Sequence, residues 1–463
     1  MCVPGLAVPP AVPEAAGLQD PPRPARTQLD LTMTGPAGTR TLALSALVVP
    51  EGDPELAEAA RVLVAVLWAD LDFEREFVLV SPEAAARVPA AATPEGLRAE
   101  QWAELGADLV LTGSVRRDGD TLEVELRSIA VRGADAGSQY FGSRYRGCTV
   151  SAPRSCAHYI ADDFHKRTTG LDGIAQTRLA FVSNRDGLPL AGRPLAEPGA
   201  SKEIYIADYD GANVRRVTAS RHLHIAPAWS PDGRSLVYTS WESGFQDIYV
   251  MHPFGGGPRV RPAPGDANRH HMLAEWSPDG TRLVFEASGA NGYSDVYVVN
   301  RDGAGMRNLT PNTPRWSDGA PTWAPTGQQI AFTSDRSGPN QVYTMSADGT
   351  LVKRMHTGPH ADSPSWSSRN YIAFALQAPE PGRQDIAVLD LQTGEVRVLT
   401  GGPGSHGSPA VAPNGRHIAF TTTRWGREQI AIIDYPTGTR FRRVTETGSN
   451  SYPAWSPVPR GER

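Results

Sequence analysis

Six of the chain's eleven histidines fall at one recurrent place. A segment reading "APAWSPDG" from Ala226 returns as "LAEWSPDG" from Leu273 and "APTWAPTG" from Ala320, with weaker echoes further on. Between seven and four positions before its anchors lie His222, His224, Arg269, His270, His271, Ser317, Asp318, His360, Asp362, His406, Asn450 and Ser451. Imidazole, guanidinium and carboxylate groups so placed suit three kinds of chemistry. They solvate a wide loop surface, they bind a protein or peptide through adaptable hydrogen bonds and contact area, or they converge on a metal ion or reacting group. No HExxH, CxxC or compact Cys/His spacing accompanies them, so neither a metal site nor a cofactor is expected. A glycosidase needs facing carboxylates, and the inner-position candidates Asp318 and Asp362 belong to different repeats. A peptidase needs a nucleophile elbow, and no GxSxG occurs. No catalytic residue is assigned, and the chain is not expected to be an enzyme.

These residues are positioned by a repeat. Its anchors are Trp229, Trp276, Trp323, Trp366, Val411 and Trp455, spaced by 47, 47, 43, 45 and 44 residues. That period suits one four-stranded propeller blade. In "WSPDG", Pro opens a tight turn, Asp accepts from backbone amides and Gly takes a positive φ, while the Trp packs between blades. Middle-strand pairs start at "RLAFVS", "SLVYTS", "RLVFEA", "QIAFTS", "YIAFAL" and "HIAFTT". The anchor strands are also six, shifted by one, so Tyr452–Pro457 is expected to pair beside Arg178–Ser183 and close a six-bladed ring. Residues just before each innermost strand then share a face with the loops between second and third strands. Those loops add Trp241, Glu242, Asp335, Arg336, Arg424 and Trp425 to the same mouth.

Ahead of the propeller (173–463), residues 26–172 read as a small mixed α/β domain, so the chain is α/β followed by all-β. "RTLALSALVV" is a buried strand, and Asp53-Pro54 opens a helix whose apolar residues keep helical spacing. "EFVLVSP" is a strand and "TPEGLRAEQWAELG" a single helix ended by Gly106. A hairpin turns at Asp118-Gly119, a further strand follows, and "PRSCAHYIADDFHKRTTG" is the last helix. Cys148 and Cys156 flank that final junction and are either a disulfide or two buried thiols. Residues 1–25 hold seven prolines and read as a disordered or residual export leader without a recognisable signal peptide. Net charge is -5 with no basic block, which argues against nucleic acid as a partner. Apolar runs fall short of a membrane span, and a monomer is expected.

The order of a small α/β domain and six such blades resembles the TolB family, periplasmic components of Tol–Pal systems. Besides the blade motif, "LWADLDFEREFVLV", "WAELGADLVLTGSV" and "ADDFHKRTTGLDGIAQTRLAFVSN" carry the likeness, over roughly residues 26–457. The resemblance implies a non-enzymatic periplasmic adaptor supporting outer-membrane integrity and cell division. It implies a propeller mouth that holds the peptidoglycan-associated lipoprotein Pal, and an N-terminal segment that reaches the inner-membrane protein TolA. "RHHMLAEWSPDG" matches the family's loop, which gives Arg269 and His270 the Pal-contacting role, while Ala320 stands where the family has an acidic residue. "RTQLDLTMTG", with Leu29, Asp30, Leu31 and Met33, lies where the family's TolA-binding strand lies. A propeller hydrolase and a TolB-like module with an unrelated protein partner are the alternatives.

Overall fold

Asp53 begins the first long helix as the sequence requires: its side chain accepts from the Leu56 amide at 3.0 Å, with Pro54 at the first helical position. This helix, α1 (Pro54–Glu74), buries Leu56, Ala60, Leu63, Leu67 and Leu71 along one stripe. It packs beside α4 (Pro153–Thr169), which ends at Gly170 with φ 78°. Both lie on a six-stranded sheet made of β1 (Ala25–Gln28), β2 (Arg40–Leu44), β3 (Phe77–Leu79), β4 (Leu109–Asp118), β5 (Thr121–Ala130) and β6 (Gln139–Thr149), in the order β1-β6-β5-β4-β2-β3. Strand β2 runs parallel to β3 and β4, and the remaining pairs are antiparallel. The computed structural model describes residues 25–28, 40–188, 190–191, 201–255, 257–266, 268–288, 292–311 and 315–459.

One local expectation is corrected. "TPEGLRAEQWAELG" is not one helix: Pro94–Gly96 is a 3-10 turn, Leu97 is extended, and α3 covers only Ala99–Glu104. Thr93 makes no capping bond and Gly96 is a poor interior helix residue, so nothing holds the longer helix together. A one-turn helix, α2 (Pro82–Ala85), is capped by Ser81 and was not anticipated. Cys148 on β6 and Cys156 on α4 are joined as a disulfide, which settles the alternative left open by their spacing.

Six antiparallel sheets then form the propeller. Blade one is closed by the C-terminal strand, with order Asn450–Trp455, Arg178–Ser183, Glu203–Asp208, Arg215–Arg216. Asn450 faces Ser183 and Trp455 faces Leu179, the pairing that the repeat count demands. Blades two to six have innermost strands His224–Trp229, His270–Trp276, Asp318–Trp323, Ala361–Trp366 and His406–Val411. Blade two has three strands, and its expected fourth is reduced to a bridge between Val250 and Val260.

Each anchor Trp sits between blades. Trp276, for example, packs on Val237 and Ile248 of blade two and Leu283 and Phe285 of blade three. A ring of that size buries about 150–250 Å², worth about 4–6 kcal/mol before entropy. The turns behave as read: Asp232 Oδ1 accepts from the Arg234 amide at 3.0 Å, and Gly233 takes φ 69°.

The α/β domain docks on one face of the disc, against inner turns and third-strand turns. Arg75 Nη1 reaches Asp434 Oδ2 at 2.7 Å, and His417 Nε2 pairs with the Phe73 carbonyl at 3.1 Å. Tyr209 donates to Asp70 Oδ1 at 2.6 Å, and Arg416–Glu76 and Arg440–Asp72 ion pairs surround these contacts. One apolar cluster runs from the α/β core into blades one and six, so the two parts share a core. No helix among the described residues is long and apolar enough to cross a membrane.

Candidate binding face

Every innermost strand carries a left-handed residue without being glycine: Ala226, Leu273, Ala320, Ser363, Ser408 and Tyr452, with φ between 44° and 54°. Each sits at a bulge in the pairing with its second strand. The conformation costs about 1–2 kcal/mol per residue. The preceding blade offsets part of it by capturing the freed amide. Leu273 N donates to Thr239 Oγ1 at 3.0 Å, Ala320 N to Glu286 Oε2 at 3.1 Å and Tyr452 N to Thr421 Oγ1 at 3.1 Å. These six positions line a narrow axial cavity of about 100 Å³.

Six of the residues expected at the mouth face inward and are buried: His224, His271, Asp318, His406, Asn450 and Ser451. The three histidines and Asn450 tie their blades to the preceding ones. His224 Nε2 lies 3.3 Å from Glu203 of blade one and 2.9 Å from Ser220 Oγ. His271 Nδ1 donates to the Ala263 carbonyl at 2.8 Å and faces Asp247 of blade two. His406 stands 3.9 Å from Asp385 of blade five, and Asn450 donates to Gln429 of blade six at 2.9 Å. Each of these His rings also meets a second-strand aromatic edge-on: Tyr238, Phe285 and Phe420. Burial, with Arg424 and Arg383 nearby, holds His406 down at about 4, and burial also lowers His271. Asp318 is bound to Arg336 Nη2 at 2.7 Å. These side chains are therefore structural in position and unavailable at a surface.

His222, Arg269, His270, Ser317, His360 and Asp362 remain accessible in part or in full. Arg269 is exposed, and His270, Ser317, His360 and Asp362 are half-buried. His270 stacks on Phe245 with a 6.3 Å centroid separation. The loops after the second strands are tied to the residues before the innermost strands: Trp241 N donates to Leu223 O at 3.1 Å, Thr423 N to Ser405 O at 3.0 Å and Gln377 N to His360 O at 2.8 Å. Both sets therefore share one face, at the strand ends away from the docked α/β domain. Arg336 lies over Trp316, Phe332 and Tyr343 there, and Trp425 packs under Arg443. Leu29, Asp30, Leu31 and Met33 lie outside the described residues, but Ala25–Gln28 adds as an antiparallel edge strand to β6.

Three half-buried carboxyls lie on or against innermost strands, and two of them, Glu275 and Glu286, were not anticipated. Glu275 lines the axial cavity, and burial pushes it up to about 7 despite hydrogen bonds from Thr322 and the Trp323 amide. Burial also raises Glu286 and Asp362, and the Asp362 charge adds to the rise at Glu286. The signal was present: Glu275 replaces the Ala of "PAW", and Glu286 replaces the Thr of "YTS".

Residues 165–459 match the model of the TolB beta propeller domain, and residues 34–135 match that of the TolB amino-terminal domain. The chain belongs to the TolB family. The Tol-Pal system protein TolB of Bordetella pertussis is 30% identical over 449 residues, covering 95% of this chain and 93% of that one. The corresponding TolB of Desulfosudis oleivorans is 30% identical over 305 residues, 65% of this chain and 54% of its own. Among solved structures, TolB from Acinetobacter baumannii shares the fold with TM-score 0.74 at 23% identity, covering 94% of this chain and all of that one. As a TolB-family protein, the chain is a component of a Tol–Pal envelope system.

Proposed function

We propose that this chain is a periplasmic, non-enzymatic scaffold that acts as a monomer. Its open propeller face binds a Pal-like outer-membrane lipoprotein, and the segment containing Leu29, Asp30, Leu31 and Met33 binds a TolA-like inner-membrane protein. Through both contacts it supports outer-membrane integrity and cell division. The observation that carries this reading is the position of Arg269 and His270. They stay accessible on the face that the α/β domain leaves open, while the buried histidines fix the ring beneath them. A closed ring presents a preformed surface and so loses little freedom on binding. The edge strand Ala25–Gln28 on β6 supports partner contact by strand addition nearby. A disulfide between Cys148 and Cys156 suits an oxidising compartment. Asp318, one of the two carboxylates a glycosidase would need, is buried and bound to Arg336.

Calorimetry with the soluble domain of Pal from the same organism tests the reading. Replacing Arg269 and His270 together by Ala should weaken binding at least tenfold while leaving the fold intact. Unchanged affinity in that variant would remove the mouth assignment.

A further inference from the structure

Where α4 meets blade one, three ligand-type side chains from distant parts of the chain come together. One ligand atom each from His158, Asp208 and Asp210 lies within 4.8 Å of the others. His158 is 4% exposed. Its Nδ1 is bound to Asp70 Oδ2 at 2.8 Å, which fixes the ring and leaves Nε2 as the free nitrogen. That Nε2 is buried and has no hydrogen-bond partner. A buried imidazole nitrogen without a hydrogen-bond partner is costly, whether it is the lone pair or the proton that goes unpaired.

We propose that His158, Asp208 and Asp210 form a zinc site that pins α4 to the third-strand turn of blade one. The donor set, one imidazole nitrogen and two carboxylates, is one that zinc accepts, with water completing a tetrahedron. Asp70 supplies the outer carboxylate that typically orients a ligating histidine and raises its basicity. The carboxylates keep free lone pairs. Asp208 Oδ2 accepts from Asn213 at 2.6 Å, while Asp210 accepts from the Ala212 amide at 3.1 Å and pairs with Arg154. Arg154 offsets one negative charge of the three carboxylates, while Arg442 reaches the Asp210 carbonyl and lies over the Phe73 and Tyr209 rings. Ligand atoms around zinc stand about 3.3–3.5 Å apart, so closure needs an inward swing of about 1 Å by half-buried side chains. No sequence motif announces the site, because its members are 50 and 52 positions apart and meet only after the domains dock.

The full-length, tag-free protein, stripped with a chelator and titrated with zinc sulfate in a calorimeter, tests the site. The expected result is one equivalent bound with micromolar or tighter affinity. His158→Gln, and separately Asp208→Asn with Asp210→Asn, should each weaken it more than tenfold, while the accessible His222→Gln should not. Near-UV circular dichroism checks that each variant is folded. Should a variant fail to fold, anomalous scattering at the zinc edge from soaked wild-type crystals decides, through a peak between His158 and the two carboxylates or a peak elsewhere only. Binding weaker than about 100 µM, binding indifferent to the substitutions, or zinc found only elsewhere overturns the proposal. None of these outcomes bears on the partner assignment above, which rests on the opposite face.

Discussion

Tyr209 of blade one and Asp70 of α1 meet across the domain boundary, the phenol donating to Asp70 Oδ1 at 2.6 Å with both side chains about 1% exposed. A hydrogen bond from a neutral donor to a buried carboxylate is expensive to lose, because the acceptor keeps its desolvation cost. Tyr209→Phe preserves the ring and removes only the hydroxyl. The variant should lose about 1–3 kcal/mol in urea unfolding. A midpoint equal to wild type would mean that the contact does not hold the domains together.

The left-handed residue of each innermost strand gives a second expectation. Ala320 has φ 44°, a conformation that glycine accepts freely and that a β-branched side chain resists. Ala320→Val should cost about 1–3 kcal/mol. Ala320→Gly should stay within about 0.5 kcal/mol of wild type, since relief of strain is offset by a more flexible unfolded chain. Equal tolerance of Val and Gly would show that the strand does not require this conformation.

Glu275 makes stability depend on pH in a defined direction. Its carboxyl is held at about 7 in the folded chain, against 4.5 for the free group, because burial beside the channel disfavours the anion. Below pH 4.5 both states are protonated and the group contributes nothing. Between 4.5 and 7 the unfolded chain releases a proton that the folded chain keeps, so stability falls as pH rises. Above 7 the penalty is constant. Glu275→Gln should therefore gain about 1–2 kcal/mol over wild type at pH 8, with little difference at pH 4.5, after allowing for water in the channel. Denaturation curves at the two pH values check this, and an equal difference at both would remove the explanation.

The blade count and ring closure followed from the shift between anchor strands and strand pairs, because turn chemistry at Pro231, Asp232 and Gly233 is local. His224, His271 and His406 recur for a reason that sequence order hides. Their partners Glu203, Asp247 and Asp385 begin the third strand of the preceding blade, and only the propeller geometry brings them together. Recurrence there marked packing, whereas Arg269 and His270, with no buried carboxylate to satisfy, remain at the surface. The His158 cluster left no trace in spacing at all, since domain docking creates it.

The division between latch and surface predicts that stability and binding separate. His224→Ala removes a fully buried ring, opens space against Tyr238 and takes away the imidazole beside Glu203. It should cost about 2–4 kcal/mol in unfolding free energy. Its affinity for the lipoprotein partner, measured where the variant is folded, should stay within about threefold of wild type, since the ring makes no surface. Arg269→Ala should do the reverse: stability within about 0.5 kcal/mol, because the side chain is exposed, and binding clearly weakened. Running both variants through the same denaturation and calorimetry series distinguishes the roles. Binding lost in His224→Ala under folded conditions, or stability lost in Arg269→Ala, would mean that the mouth and the inter-blade latches are not separate devices.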